Sequence, residues 1–279
     1  MKLLRFGQPG NERTGLLDDT GVMRDLSGHL PVLGGAALGR LDDLRTLDAS
    51  ALPPLDDPVR IGACLAGVPN FHAVGLNYNE HAAELDADPP KEPILFSKAT
   101  SSLSGPHDPL VLPRTSEKSD WEVELGVVIG HTALYVSEGE ALDYVAGYCV
   151  INDISERAFQ LERGGQWYKG KSAPGFGPAG PWLVTPDEVG DPQSLALSMT
   201  LNGDVMQSSS TADMIFSVAE IISYMSQFME LRPGDLIATG TPPGVGMGKT
   251  PQRFLRPGDV MEAKIEKLGA QRTEVVTIV

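Results

Sequence analysis

The chain has 279 residues, of which 41% are hydrophobic and 21% charged, and its formal net charge is −15. This composition predicts a globular protein with one large domain, or with one large and one small domain. The excess of negative charge argues against a nucleic-acid surface, because phosphate binding depends on clusters of Lys and Arg. No apolar run approaches the roughly 18 residues of a membrane span, and no export signal is recognised, so a cytoplasmic protein is expected. Cys64 and Cys149 are expected to be buried free thiols.

Residues 1–65 are predicted to form a small N-terminal α+β domain. A strand over residues 2–6 is followed by a hairpin whose turn is Asp18–Gly21, because Asp and Gly suit tight turns. Leucines spaced three residues apart predict a helix over residues 36–47, which the prolines at 53 and 54 follow. No group in this segment is placed for chemistry.

The next feature is a short helix, predicted to begin with Asn79 as its cap. His81 and Glu84 are three residues apart, so they would lie side by side on its surface. The residues alone leave two interpretations open: a histidine held for catalysis, or a capping or surface histidine. The segment 86–93 carries three prolines, which is typical of an exposed loop.

A strand is predicted over residues 120–130, because it is rich in Val, Leu and Ile and ends at a glycine. Alternate side chains share a face, so Glu122 and Glu124 point one way while Trp121 and Val123 point into the core. Two carboxylates about 4 Å apart repel by about 4 kcal/mol at an effective dielectric of about 20, and no Lys or Arg is expected opposite them. Either a divalent cation with oxygen ligands or solvent on an open sheet face would offset this repulsion.

The second half of the chain continues the alternation of strands and turns. A buried strand ends at Asn152-Asp153, which places a carboxylate at a strand end. Asn202-Gly203 indicates a hairpin, and residues 213–231 are predicted to form the longest helix. The loop Gly244–Thr250 ends in Gly-Lys-Thr, but Pro243 occupies the position of the first glycine of a phosphate-binding loop, so nucleotide binding is not expected.

Five short motifs occur together in one order along residues 61–279. They are Gly75-Leu76-Asn77-Tyr78-Asn79-Glu80-His81, Trp121-Glu122-Val123-Glu124-Leu125, Ile151-Asn152-Asp153, Lys169-Gly170-Lys171 and Thr239-Gly240-Thr241-Pro242. In these motifs the sequence resembles the fumarylacetoacetate hydrolase family. Within the family it is most similar to bacterial members that act on 2,4-diketo acids, including the diketo acids derived from the sugar acids rhamnonate and fuconate. The resemblance implies a mixed, β-rich α/β fold. Its β-sheet would roll into a barrel-like catalytic domain over residues 66–279, and the protein would be a homodimer.

The resemblance also implies the roles of the site residues. Mg²⁺ or Mn²⁺ would be held by Glu122, Glu124 and Asp153. The catalytic groups would be His81, Glu84, Lys171 and Gln160, with His81 acting as the base that Glu84 polarises. A small anionic oxo-acid substrate would be bound by Thr241, Arg157, Tyr78 and Tyr168.

The implied reaction is hydrolysis of the C–C bond of a 2,4-diketo acid, an acylpyruvate or a 2,4-diketo-3-deoxy sugar acid, through a metal-stabilised enolate and water activated by His81 and Glu84. On the same scaffold, decarboxylation of oxaloacetate or isomerisation of a dienedioate is the alternative, and a catalytically silent binder of small molecules is a third. Two departures concern specificity. Leu76 stands where many acylpyruvate-cleaving relatives have arginine, and Ser172–Phe176 replaces a stretch that contains Asp-Thr-Phe.

Overall fold

The computed structural model describes residues 1–56 and 58–277, and within them it contains eighteen strands, five α-helices and six 3₁₀ segments. The strands are β1 (Lys2–Phe6), β2 (Arg13–Leu17), β3 (Met23–Asp25), β4 (Phe71–Gly75), β5 (Ile94–Lys98), β6 (Leu103–Ser104), β7 (Leu110–Val111), β8 (Ser119–Asp120), β9 (Val123–Ile129), β10 (Val145–Asn152), β11 (Ser155–Glu156), β12 (Gly177–Pro178), β13 (Leu183–Val184), β14 (Ala196–Leu201), β15 (Asp204–Ser210), β16 (Leu236–Ala238), β17 (Val260–Ile265) and β18 (Gly269–Val276). The α-helices are α1 (Asn79–Glu84), α2 (Arg157–Leu161), α3 (Trp167–Lys171), α4 (Pro186–Val189) and α5 (Val218–Ser226). The 3₁₀ segments are Gly35–Leu44, Ala49–Ala51, Thr100–Ser102, Glu138–Tyr144, Thr211–Asp213 and Gly246–Gly248.

A nine-stranded mixed sheet forms the centre of the molecule, with the strand order β3-β2-β1-β13-β10-β9-β16-β4-β5. Strands β16 and β4 are parallel, and the other neighbours in this sheet are antiparallel. The mixed, β-rich α/β class is therefore confirmed. The sheet is open, with β3 and β5 at its two edges, so the part of the chain that the structure describes forms no closed barrel and the barrel-like expectation is wrong in that respect.

Strand β9 is buried along its whole length, because both faces of the sheet are covered. Its odd-numbered residues from Val123 to Ile129 pack into one apolar cluster with strands β14 and β17 of a second, five-stranded sheet. On the opposite face, Val128 packs into a separate cluster with Cys149 and with leucines of the first 65 residues. Glu124 shares that second face with Val128, which is why its side chain does not enter the larger core.

The strands of the first 65 residues extend the same central sheet. Leu3 of β1 pairs with Leu183 of β13, and the predicted hairpin is confirmed by the pairing of β2 with β3. The domain boundary predicted between residues 65 and 66 stays a prediction. The helix predicted over residues 36–47 is a 3₁₀ helix, Gly35–Leu44, with a non-helical Arg40 (φ −126°).

Further along the chain, the Asn202-Gly203 hairpin is confirmed, with φ of 55° and 88° at these two residues. The helix predicted over residues 213–231 is α5, which is only nine residues long. It begins late because Ser217 and Glu220 form a capping box, each side chain accepting from the other's backbone N–H. No helix of residues 1–56 and 58–277 is both long enough and apolar enough to cross a membrane.

Candidate active site

Helix α1 places His81 and Glu84 beside each other, as their spacing predicts. His81 Nδ1 lies 3.1 Å from Glu84 Oε2, and the imidazole is buried with 4% of its surface exposed. The predicted cap is wrong: Tyr78 occupies the N-cap position and Asn79 is the first helical residue. Glu84 also accepts a hydrogen bond from the backbone N–H of Gly244 at 2.9 Å through its other oxygen. The imidazole orientation therefore depends on a carboxylate that is itself held from its far side.

Three buried carboxylates meet next to this helix. One oxygen each from Glu122, Glu124 and Asp153 lies within 4.8 Å of the others. The strand predicted over residues 120–130 is interrupted, because residues 121 and 122 leave the ladder between β8 and β9. Glu122 is instead fixed to the end of β10, where its N–H donates to Asn152 Oδ1 at 3.0 Å and its carbonyl oxygen accepts from the Asp153 N–H at 2.8 Å.

The expectation that no Lys or Arg faces the paired acids is wrong. Lys171 Nζ lies 2.6 Å from Glu122 Oε2 and 2.7 Å from Asp153 Oδ2. Arg157 Nη2 lies 2.7 Å from Glu122 Oε1. These cations come from helices α2 and α3, more than thirty residues further along the chain than Glu122 and Glu124. Periodicity within one strand carries no information about such neighbours.

The two glutamates respond differently to this environment. Burial favours the neutral form of Glu122, but the charges of Lys171 and Arg157 outweigh it and hold the pKa of Glu122 below its usual value. Burial also raises the pKa of Glu124, and the negative charges of Asp153 and Glu122 raise it further, to well above its usual value. Glu124 receives one hydrogen bond, from the Gly240 N–H at 2.8 Å. The side of the cluster at Glu124 thus has an excess of negative charge.

This donor set fits a divalent cation. Three carboxylates that converge in a buried position offer the hard oxygen ligands that Mg²⁺ and Mn²⁺ prefer. The deficit of positive charge at Glu124 is what a bound cation would offset.

The predicted site residues that line one cavity of about 120 Å³ are His81, Glu122, Glu124, Arg157, Gln160, Lys171 and Thr241. Glu84 and Asp153 lie directly behind them, in contact with His81 and Lys171. Tyr78 and Tyr168 do not line this cavity. Tyr78 is buried, and its hydroxyl has no hydrogen-bond partner among the described residues, whereas Tyr168 is 53% exposed on α3. Their predicted substrate-binding roles stay predictions.

Three of the lining groups are fixed by their own contacts. Gln160 Oε1 accepts from Arg157 Nη1 at 3.1 Å, one turn apart on α2. Thr241 Oγ1 donates to the Val123 carbonyl oxygen at 3.0 Å and accepts from Gln207 Nε2 at 2.8 Å. An ammonium group has three N–H donors, and the Lys171 ammonium uses two on Glu122 and Asp153. The third donor remains for a ligand in the cavity.

Sequence reasoning missed two buried residues that support this site. Lys98, at the end of β5, donates to Asp153 Oδ1 at 2.5 Å and to the Lys171 carbonyl oxygen at 2.5 Å. Asp120 accepts from Arg157 Nε at 2.9 Å and so orients the guanidinium toward Glu122. A lysine at the end of a short strand is indistinguishable from a surface residue in the sequence. Asp120 carried a weak signal, since it begins the stretch of residues 120–130 that the sequence predicts as one strand.

The glycine-rich loop Gly244–Thr250 holds side chains of the site through its backbone. Asp120 accepts from the N–H groups of Gly246 at 2.6 Å and Met247 at 3.0 Å. At the start of the loop, the Gly244 N–H donates to the Glu84 carboxylate. One loop thus contacts both the partner of His81 and the partner of Arg157.

Comparisons with known proteins identify the family of this chain. A family profile described as fumarylacetoacetate (FAA) hydrolase C-terminal matches residues 70–276. A protein of Burkholderia multivorans, named provisionally as a hydrolase, is 54% identical over 274 residues, which are 97% of each chain. A Mycobacterium abscessus structure, described provisionally as a 2-hydroxyhepta-2,4-diene-1,7-dioate isomerase, is 35% identical with a TM-score of 0.83 over the whole of both chains. The maleylpyruvate hydrolase of Sphingobium sp. SYK-6, solved with manganese(II) and pyruvate, is 28% identical with a TM-score of 0.80 over 99% of both chains. On these matches, the chain belongs to the fumarylacetoacetate hydrolase family.

Proposed function

We propose that this protein is a divalent-metal-dependent hydrolase that cleaves the C–C bond of a 2,4-diketo acid of the acylpyruvate type. The observation that carries the proposal is the shared cavity: the buried carboxylates of Glu122 and Glu124 and the imidazole of His81 line the same small space. A metal site alone would suit many reactions. A polarised histidine beside it adds a base that can activate water.

When bound, a divalent cation at Glu122, Glu124 and Asp153 supplies Lewis-acid stabilisation of negative charge on the oxo-acid end of the substrate. The chain's own cations act on the same end. The third N–H of Lys171 can bind a carboxylate or a developing enolate oxygen in the cavity. Thr241 lines the same cavity, but its hydroxyl hydrogen is donated to the Val123 carbonyl oxygen. Arg157 keeps Glu122 ionised and adds positive charge to the lining.

In the proposed reaction His81 takes a proton from water, and the hydroxide adds to the C4 carbonyl of the substrate. The C3–C4 bond then breaks, and its electron pair remains on C3 as the enolate of pyruvate. C3 takes up one proton to give pyruvate, and the acyl group leaves as a carboxylic acid. Glu84 holds the imidazole through Nδ1 and stabilises the imidazolium that forms, so Nε2 is the atom that receives the proton.

Isomerisation of a dienedioate is the second candidate function, because the Mycobacterium abscessus relative described as such an isomerase is 35% identical over the whole chain. Such a reaction needs a base and a stabilised enolate but no attack by water. Decarboxylation of oxaloacetate needs the stabilised enolate and a proton donor for it but no base, because loss of CO₂ itself generates the enolate. The His81–Glu84 pair lies at hydrogen-bond distance and would serve as the base in the hydrolase and in the isomerase alike, so the products formed distinguish the two reactions.

A panel of substrates tests the proposal. With Mg²⁺ or Mn²⁺ present, we expect acylpyruvates to yield equal amounts of pyruvate and carboxylic acid. Oxaloacetate should release CO₂ more slowly, and dienedioates should show no spectral shift. Removing the metal with a chelator should abolish turnover, and adding it back should restore turnover. Turnover confined to oxaloacetate or to a dienedioate would replace the hydrolase proposal with the corresponding alternative, and saturable binding without any turnover would identify a silent binder.

We also propose a homodimer, on the basis of the family resemblance. Light scattering coupled to size-exclusion chromatography would give about twice the 29.8 kDa mass of the chain if this is correct.

A further inference from the structure

The lining of the active-site cavity consists of two chemically different groups of side chains. The polar group, described above, contains His81 and the residues around the acids. The second group consists of apolar side chains. Among the described residues that line the cavity, its large members are Leu76, Leu85, Phe96, Leu161, Trp167 and Met247. If the polar group binds the oxo-acid end of a substrate, the acyl end must lie against the apolar group.

An aromatic pair connects the two groups. The rings of Phe96 and Trp167 pack edge to face, with centroids 5.2 Å apart and planes at 74°. The Lys171 ammonium lies 5.3 Å from the centroid of Phe96. The apolar wall therefore begins directly beside the group proposed to bind the oxo-acid end, and a substrate held by Lys171 reaches this wall within a few atoms.

Leu76 extends this wall from a constrained position. Its φ is 53°, in the left-handed region that leucine rarely adopts. The preceding Gly75 packs against the Trp167 ring so closely that a β-carbon there would collide with it. Residues held in such conformations cluster at ligand sites, because the surrounding structure must impose them. Because Trp167 packs on Gly75, the backbone at this point helps to direct the uncharged, apolar side chain of Leu76 into the cavity.

We propose that this protein selects 2,4-diketo acids whose acyl end is a compact apolar group. It discriminates against substrates that end in a second carboxylate or in a hydroxylated chain, which includes the sugar-derived diketo acids. The inference rests on the proposed function for the shared oxo-acid end of these substrates. The cavity of about 120 Å³ is well below the roughly 300–1,000 Å³ of typical ligand sites, which favours a short acyl group.

The physical reason is desolvation. A second carboxylate would lose its water against an apolar wall without gaining a cation, and each buried hydroxyl would lose its hydrogen bonds. An unpaired hydroxyl reduces binding by about ten- to a hundredfold, and an unpaired carboxylate by more. For an apolar substrate, kcat/KM rises by about tenfold or more for each methylene that fills the pocket.

Three substrates of equal chain length test this inference: 2,4-dioxoheptanoate, 2,4-dioxoheptanedioate and 5,6-dihydroxy-2,4-dioxoheptanoate, each assayed for pyruvate with Mn²⁺ present. We expect kcat/KM to be at least about tenfold higher for the first than for the other two. Equal values, or a preference for the dicarboxylate or the hydroxylated substrate, would overturn the inference.

Two variants place a cation on the wall. Leu76→Arg should raise kcat/KM for the dicarboxylate relative to the apolar substrate by about tenfold or more, whereas Leu76→Met should leave the ratio of the two near its original value. Leu161→Arg provides a second test if Leu76→Arg fails to fold, since Leu161 is 46% exposed and tolerates a charge. If a folded arginine variant does not shift the ratio, the apolar wall does not determine specificity.

A binding measurement separates this inference from the proposed function. By titration calorimetry with Mn²⁺ present, 2-oxohexanoate should bind at least about tenfold more tightly than 2-oxoadipate, which differs by a second carboxylate. If no diketo acid is hydrolysed but this preference is observed, the proposed function fails and the apolar selectivity stands. Equal affinity, or tighter binding of 2-oxoadipate, would overturn the selectivity whatever the outcome of the turnover assay.

Discussion

The side chain of Glu84 occupies the space that a β-carbon on Gly248 would need. The same loop donates the Gly244 N–H to Glu84 Oε1 at 2.9 Å, so helix α1 and the loop fit together only while residue 248 has no side chain. Because Glu84 holds His81, this contact determines the position of the proposed base without touching the substrate.

Gly248→Ala should therefore displace Glu84 and slow turnover. We expect kcat to fall by about ten- to a hundredfold, since His81 loses its fixed orientation, while affinity for the metal stays unchanged. Steady-state kinetics and metal titration measure the two effects. Gly139→Ala is the matched control, because a β-carbon at Gly139 has nothing within 4 Å. A Gly248→Ala protein with normal kcat would contradict this role.

His81→Gln should remove the proposed base while leaving the carboxylates in place. We expect kcat for an acylpyruvate to fall by about 10²- to 10⁴-fold. Mn²⁺ affinity by calorimetry should remain within a factor of about two, because His81 is not among the proposed ligands. Loss of metal binding together with activity would show that His81 belongs to the metal site.

Glu124→Ala should abolish both metal binding and turnover, since Glu124 is one of three converging carboxylates. Metal content after dialysis and calorimetric titration check the first effect, and pyruvate release checks the second. Glu274→Ala, an exposed glutamate on β18, provides the control. Unchanged metal affinity in Glu124→Ala would refute the site assignment.

Lys98→Met should destabilise the fold, because it leaves the Asp153 carboxylate buried beside one cation instead of two. The side chains of Lys98 and Asp153 are both fully buried, and breaking such a pair costs about 3–5 kcal/mol. Urea unfolding measures the change in the free energy of unfolding. Lys118→Met, which removes a largely exposed pair with Glu162, should destabilise the protein much less. Equal losses in the two variants would show that burial does not determine the cost.

Asp235→Asn should change the pH dependence of stability. Burial raises the pKa of Asp235, but the nearby His72 ring, whose Nε2 lies 3.9 Å away, and hydrogen bonds from the Arg232 N–H and Asn70 outweigh it and hold the pKa below its usual value. A carboxylate with a lowered pKa in the folded state stabilises the protein above its unfolded pKa of about 3.9, and this contribution is lost as the pH falls through the folded pKa. We expect the variant to lose about 1–3 kcal/mol near pH 7 and less near pH 3. A difference that is constant between these pH values would contradict the prediction.

Local sequence patterns predicted several features correctly because their causes lie within a few residues. The spacing of His81 and Glu84 places both on one side of α1, and alternation along β9 separates Glu124 from the core residues around it. The Asn202-Gly203 turn is also local, since its positive φ values suit these two residues. The start of α5 was predicted too early although its signal is also local, since the Ser217–Glu220 capping box spans only four residues.

The sequence by itself determined the family, the three carboxylates and the histidine with its partner, because these residue types and spacings occur together in one order. Only the tertiary structure decided what surrounds them. Lys98, Asp120 and Gly248 contact Asp153, Arg157 and Glu84, respectively, across 37 to 164 residues of chain, and no period or motif encodes such distant contacts. The apolar wall of the cavity likewise exists only where separate segments meet, since burial and the loss of water depend on packing in three dimensions.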